Sequence, residues 1–406
     1  MMMIRKFAIA AMILLPSLCA GQIPLGLDQA IAIALSQRPE LKAAAARIES
    51  AEQLRRQSGL FPNPRFIFQS ENIRASDFNY GQDADTFAYA SQVIETSGRR
   101  KNRIAVAQGA ANRSELEAQL GRRDIAEMVR DVYWSALAAE VTRSLYDENL
   151  QFFDQILQYH EARLKEGKVA EVDVLRVRLE SGRLRAAADN ARLDAERAQL
   201  ELARELGTPS GGPWKLTEDI GQLETPRTAQ KSSIGEPRPE GRLAELAVAQ
   251  AHSVLGLERA NGRPDLDALF GYKRTGGLNT AIAGLQFNIP IFNRNQGARA
   301  AAAANVRAAE QDLAATHAVL ETDLSLARKQ YGARREQVES IFRPLRDQAV
   351  EISDISRAAY REGGLDLLRL LDAERLRVDA QISLVRALNE FHRSVTALER
   401  AEGVQP

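Results

Sequence analysis

The chain has 406 residues, with 54 acidic and 54 basic side chains and a single cysteine. The balanced charge argues against a basic nucleic-acid-binding surface, and one cysteine excludes an internal disulfide. Aromatic residues make up 6 % of the chain, thin for a large globular core, whereas Ala, Leu, Glu, Arg and Gln dominate long stretches in the manner of extended helices.

Residues 1–20 read as an export signal. Arg5 and Lys6 precede an apolar run from Phe7 to Leu15 that is too short to span a bilayer, and small residues follow around Ala20 and Gly21. Cleavage near Cys19 to Gly21 is the ordinary outcome. Lipidation of Cys19 is the alternative, against which stand Leu18 and Pro16. No later run of eighteen apolar residues occurs, so no transmembrane helix is expected.

Apolar residues at helical spacing predict a helix over residues 26–58, broken at Pro39 and ended by Gly59, Pro62 and Pro64. The period then changes to two. Phe66 and Phe68 share one face, and Phe87, Tyr89 and Val93 share a face of the next strand, giving a hairpin over residues 65–95 with a long polar loop. Residues 98–166 carry no proline and predict one helix of roughly 100 Å. A break at Gly167 and a return helix over 172–206 complete a first repeat, residues 21–206. Residues 207–237, rich in Gly and Pro, form an irregular connector.

The plan then recurs over residues 238–406: a helix, a hairpin over 265–290 with a loop at Arg274 to Gly277, a long helix over 295–362, a glycine break and a return helix over 366–401. Pro344 predicts a kink in the second long helix. Gly167 and Gly363 stand 196 positions apart, as do Arg103 and Arg299. Such internal similarity sets the architecture before any other signal.

Four strands in an exported chain are too few to close a membrane barrel, and helices of this length are too polar to cover a soluble sheet. Several copies sharing one barrel satisfy both constraints. Three copies give twelve strands and leave a lumen, whereas eight strands are largely filled by side chains. The long helices outlast any bilayer and must stand beside it. The fold class is therefore mainly α with a transmembrane β part: two structural repeats of helix, strand, strand, long helix, turn and helix.

The stretches Phe61-Pro62-Asn63-Pro64, Thr96-Ser97-Gly98-Arg99-Arg100 and Phe287 to Gly297, together with the two glycine turns, resemble the TolC-type outer-membrane efflux channels over nearly the whole mature chain. The Pro-Ile-Phe-Asn-Arg-Asn-Gln-Gly stretch from Pro290 is most similar to the branch serving cobalt–zinc–cadmium and copper–silver resistance. The resemblance implies a homotrimer in outer-membrane lipid, with a twelve-stranded barrel continued by a periplasmic α-helical barrel. It also implies two partners, a periplasmic adaptor (membrane-fusion) protein and an inner-membrane pump of the resistance-nodulation-division type. The channel itself would be a passive exit duct for heavy-metal cations or for drugs.

By the same resemblance, Gly167, Lys168, Val169, Ala170, Gly363, Gly364 and Leu365 form adaptor-docking tips. Asp173 and Tyr360 match a gating pair bonded to each other in the closed state, and Asp372 matches an acidic pore ring. Leu365 replaces a gating Arg, and Arg369 replaces a ring Asp. Comparing the repeats, Asp173 and Arg176 face Arg369 and Asp372 with the charges exchanged, which suggests alternating ion pairs between helices of the closed tip. The simpler reading of such charges is a solvated helix surface. His160, His252, His317 and His392 are scattered, and no metal-site spacing, nucleophile motif or phosphate loop is present, so neither a cofactor nor an enzymatic activity is expected. The competing readings are the outer-membrane component of a type I protein-secretion system and a soluble periplasmic coiled-coil adaptor.

Overall fold

The computed structural model describes residues 23–209, 211–227 and 238–404. The export signal and Cys19 lie outside them, as do residues 210 and 228–237 of the expected connector. A short strand β1 (Ile23–Leu25) leads into α1 (Leu27–Gln37) and α2 (Pro39–Ser58). The helices part at Arg38 because Pro39 drives its neighbour into an extended conformation, with φ −62° and ψ 124°. Strand β2 (Arg65–Glu71), a single turn of helix α3 (Tyr80–Asp83) and strand β3 (Asp85–Ile94) follow. Helix α4 (Arg99–Lys165) then runs for 67 residues, and α5 (Glu171–Glu205) returns beside it.

Strand β4 (Trp214–Leu216) pairs in parallel with β1, so the expected connector contains regular structure. The second half comprises α6 (Pro239–Asn261), β5 (Leu266–Thr275), β6 (Leu278–Gln286), α7 (Gln296–Gln337), α8 (Arg343–Arg361) and α9 (Leu367–Glu402). Strands β5 and β6 run further into the expected loop than their sequence suggests, whereas β6 ends at Gln286, short of the expected bound at residue 290. Only Gly276 and Gly277, both at positive φ, separate them, as a two-residue hairpin turn requires. Among the described residues no helix is long and apolar enough to cross a membrane.

Helices α7 and α8 are joined by a π turn, Val338–Phe342. The expected interruption at Pro344 thus begins upstream of the proline. Pro344 offers no N–H, and the residue before it reaches back five positions: the Arg343 N–H donates to the Val338 carbonyl.

The two hairpins form one antiparallel sheet in the order β2-β3-β5-β6. Its register places Phe66, Ala90, Phe270 and Ala283 in one row and Phe68, Ala88, Tyr272 and Ala281 in the next on the same face. Phe87 and Tyr89 fall on the opposite face, beside Gln69, Lys273 and Ile67. The strand aromatics therefore do not form one band, because pairing shifts side chains by whole rows and period-two alternation alone cannot relate two strands. Gly271 sits opposite Tyr89, where an added Cβ would lie 2.4 Å from the Tyr89 Cα.

The main core lies midway along the helices, where α1, α4, the end of α5, β4 and α9 meet. The Tyr133 hydroxyl donates to the Leu25 carbonyl at 2.8 Å and accepts from the Thr217 N–H at 3.2 Å, tying the small parallel sheet to α4. Trp134 stacks on His392 with centroids 3.6 Å apart. Burial depresses the His392 pKa, so the ring sits neutral against the Ile220 carbonyl.

Candidate functional site

Both long helices end in the same way. Gly167 (φ +69°) and Gly363 (φ +79°) take up the left-handed conformation after α4 and α8. The Lys168 N–H donates to the Arg163 carbonyl and the Gly364 N–H to the Ala359 carbonyl, each at 2.9 Å, so both ends are Schellman caps. The return helices start differently. Asp366 caps α9 by accepting the Arg369 N–H at 2.9 Å, whereas Ala170 begins α5 without a side-chain cap. Lys168, Ala170, Gly364 and the two turn glycines are exposed, and Val169 and Leu365 are half-buried.

The charges expected around the gate pair locally within this chain. Asp173 meets Arg176 one turn along α5 at 3.7 Å, and Arg369 meets Asp366 at 3.5 Å. Asp372 is exposed on α9 and makes no ion pair among the described residues. Tyr360, expected opposite Asp173, instead bonds to His160 of α4, with its hydroxyl 2.8 Å from Nε2. Burial raises the Tyr360 hydroxyl pKa, with smaller contributions in the same direction from Tyr159 and Asp173.

Above this pair lies a polar cluster that sequence reasoning passes over. Glu374 of α9 is fully buried. It accepts from Ser353 at 2.8 Å, from Arg357 Nη2 at 2.7 Å and from Arg377 at 3.1 Å, and Arg377 reaches Asn149 of α4 at 2.7 Å. Arg357 also lies 4.3 Å over the Phe152 ring. A signal exists: Glu374 and Arg377 continue the spacing of Leu367, Leu370 and Leu371, charged residues at core-facing positions. Below the cluster, Phe153, Val177, Leu367 and Leu371 form a small apolar core.

Two apolar seams are left uncovered along the helices. Val172, Leu179, Ala186, Leu193 and Leu200 recur every seven residues on α5 and are all exposed. A second seam runs down α7 and α8 through Val319, Leu326, Leu345, Ile352 and Ile355. Strands β2 and β6 are the free edges of the sheet, and Phe66 and Phe270 on its apolar face are 73 % and 69 % exposed.

A sheet with one apolar face, long helices with bare heptad seams and paired glycine tips define an outer-membrane channel protomer. The chain belongs to the outer membrane efflux protein family, which it matches over residues 30–208 and 234–404. It is 26 % identical over 388 residues to the cobalt-zinc-cadmium resistance protein CzcC of Cupriavidus metallidurans, covering 94 % of this chain and 90 % of CzcC. The nickel-cobalt-cadmium resistance protein NccC of Alcaligenes xylosoxydans xylosoxydans is 26 % identical over 284 residues, 69 % of this chain and 64 % of NccC. The open-state MtrE outer membrane channel of Neisseria gonorrhoeae superposes with a TM-score of 0.77 at 19 % identity, covering 93 % of this chain and 88 % of MtrE. The family is one of outer-membrane channel proteins, and the chain is an outer-membrane efflux channel related to heavy-metal resistance components.

Proposed function

We propose that three copies of this chain form the exit duct of a tripartite efflux system for divalent heavy-metal cations. The carrying observation is the pair of unlike free edges. The β2 edge and the α5 seam of one copy meet the β6 edge and the α7–α8 seam of the next, a head-to-tail contact that closes into a ring. The Phe66–Phe270 face turns to lipid, and the face carrying Gln69, Lys273 and the Arg65–Asp267 ion pair turns to the lumen.

The six glycine tips, two per chain, would dock a periplasmic adaptor, and an inner-membrane pump of the resistance-nodulation-division type would supply the energy. Asp173, Arg176, Tyr360, Arg369 and Asp372 lie within a few turns of these tips and would form the periplasmic gate. Three copies of exposed Asp372 near one axis would favour cations over anions. The CzcC and NccC relatives support heavy-metal cations as the cargo. The test is twofold: mass measurement in detergent, expecting three protomers, and zinc, cobalt and cadmium tolerance of cells with and without the gene. A monomer, or unchanged tolerance to all three metals, overturns the proposal.

A further inference from the structure

We infer that His160 is the positioning residue that holds Tyr360 in the closed gate, resting on the channel reading above. The His160 Nδ1 lies 2.8 Å from the Ile156 carbonyl, an oxygen that can only accept. That nitrogen therefore carries the ring hydrogen, and Nε2 presents a lone pair to the Tyr360 hydroxyl 2.8 Å away. The bond has one direction and one arrangement. His160 is 2 % exposed, so the bond is shielded from water while Tyr360 is in place.

The position of the bond makes it a latch. Helix α8 hangs between the π turn at Val338–Phe342 and the break at Gly363. Its buried polar ties to α9 run through Glu374, from Ser353 and Arg357. To α4 it is tied near its lower end by the Tyr360–His160 bond, with Arg357 over Phe152 one turn above. The lower parts of α8 and α9 can thus swing as a pair, keeping the Ser353 and Arg357 bonds to Glu374, once Tyr360 leaves His160 and Arg377 of α9 leaves Asn149 of α4. Asp173 does not supply that tie in this chain, since its carboxylate engages Arg176 on its own helix.

The experiment is single-channel recording of the purified trimer in planar bilayers. Tyr360→Phe and His160→Phe should each raise the open-to-closed ratio on the order of tenfold, the equivalent of one hydrogen bond to a buried group. The double variant should open no further than either single one. His160→Gln, which keeps an acceptor, should stay near the parent.

Opening by Tyr360→Phe with a silent His160→Phe overturns the latch alone, as does a double variant whose effect is the product of the singles. Loss of trimers in both His160 variants marks a folding role and also overturns it. Intact trimers that never conduct, in any variant, overturn the channel reading and the latch with it.

Discussion

Arg357 and Glu374 form the buried joint between the last two helices: the Arg357 Nη2 lies 2.7 Å from Oε2 of a carboxylate with no exposed surface. Burial by itself would raise the Glu374 carboxyl. The bonds from Arg357 and Ser353 outweigh it and hold the pKa below its ordinary value. Removing one partner of such a pair costs about 3–5 kcal/mol because a charge is left buried and uncompensated. Glu374→Gln should lower stability by that order at neutral pH, measured by denaturant unfolding. The carboxylate's contribution is fully present above the unfolded pKa and is lost as pH falls through the depressed folded value. The gap between parent and variant should therefore close in acid, below the ordinary carboxylate range, and a gap independent of pH would contradict this account.

The tip glycines test backbone strain without side-chain crowding. A Cβ on Gly167 or Gly363 meets nothing within 4 Å, yet both residues sit at positive φ. Gly167→Ala and Gly363→Ala should each cost about 1–2 kcal/mol from left-handed strain alone. Similar drops in thermal midpoint for the two variants would show that the caps are equivalent in energy as well as geometry.

The two faces of the sheet should respond oppositely to charge. Phe270→Arg places a cation among Phe66, Ala90 and Ala283 and should cost about 2–4 kcal/mol if that face meets the bilayer midplane. Gln69→Arg on the opposite face should be tolerated. Yield of folded protein in isolated outer membranes distinguishes them, and equal yields would reverse or abolish the assignment of the lipid face.

The helical seams should decide assembly. Leu193→Glu on α5 and Ile352→Glu on α8 each put a charge in the middle of an exposed apolar row. Either should shift the oligomer towards monomers in size-exclusion chromatography with light scattering, while leaving helix content by circular dichroism unchanged. Unchanged oligomers for both variants would show that these seams are not the contact between copies.

Helix lengths, strand pairs and the tip turns were legible because each rests on local physics. Glycine marks positive φ at residues 167 and 363, proline separates α1 from α2, and hydrophobic period switches from helical to two at Arg65. What failed needed neighbours. The partner of Tyr360 follows from how α8 lies across α4, and His160 has no sequence pattern that ties it to a residue 200 positions away. The π turn arises where a proline must coexist with Val338 held in the core, a conflict visible only once α9 and α4 are in place.

The tip turn shows the division most clearly. The sequence by itself determined that two long helices reverse at matching glycines, because only the local backbone decides that. Tertiary packing decided which side chains close over the turn: it set Asp173 against Arg176, Asp366 under Arg369 and Tyr360 on His160. A hydrogen-bond partner is chosen by distance and direction in space, and those depend on helix crossing and rotation, which no single helix encodes.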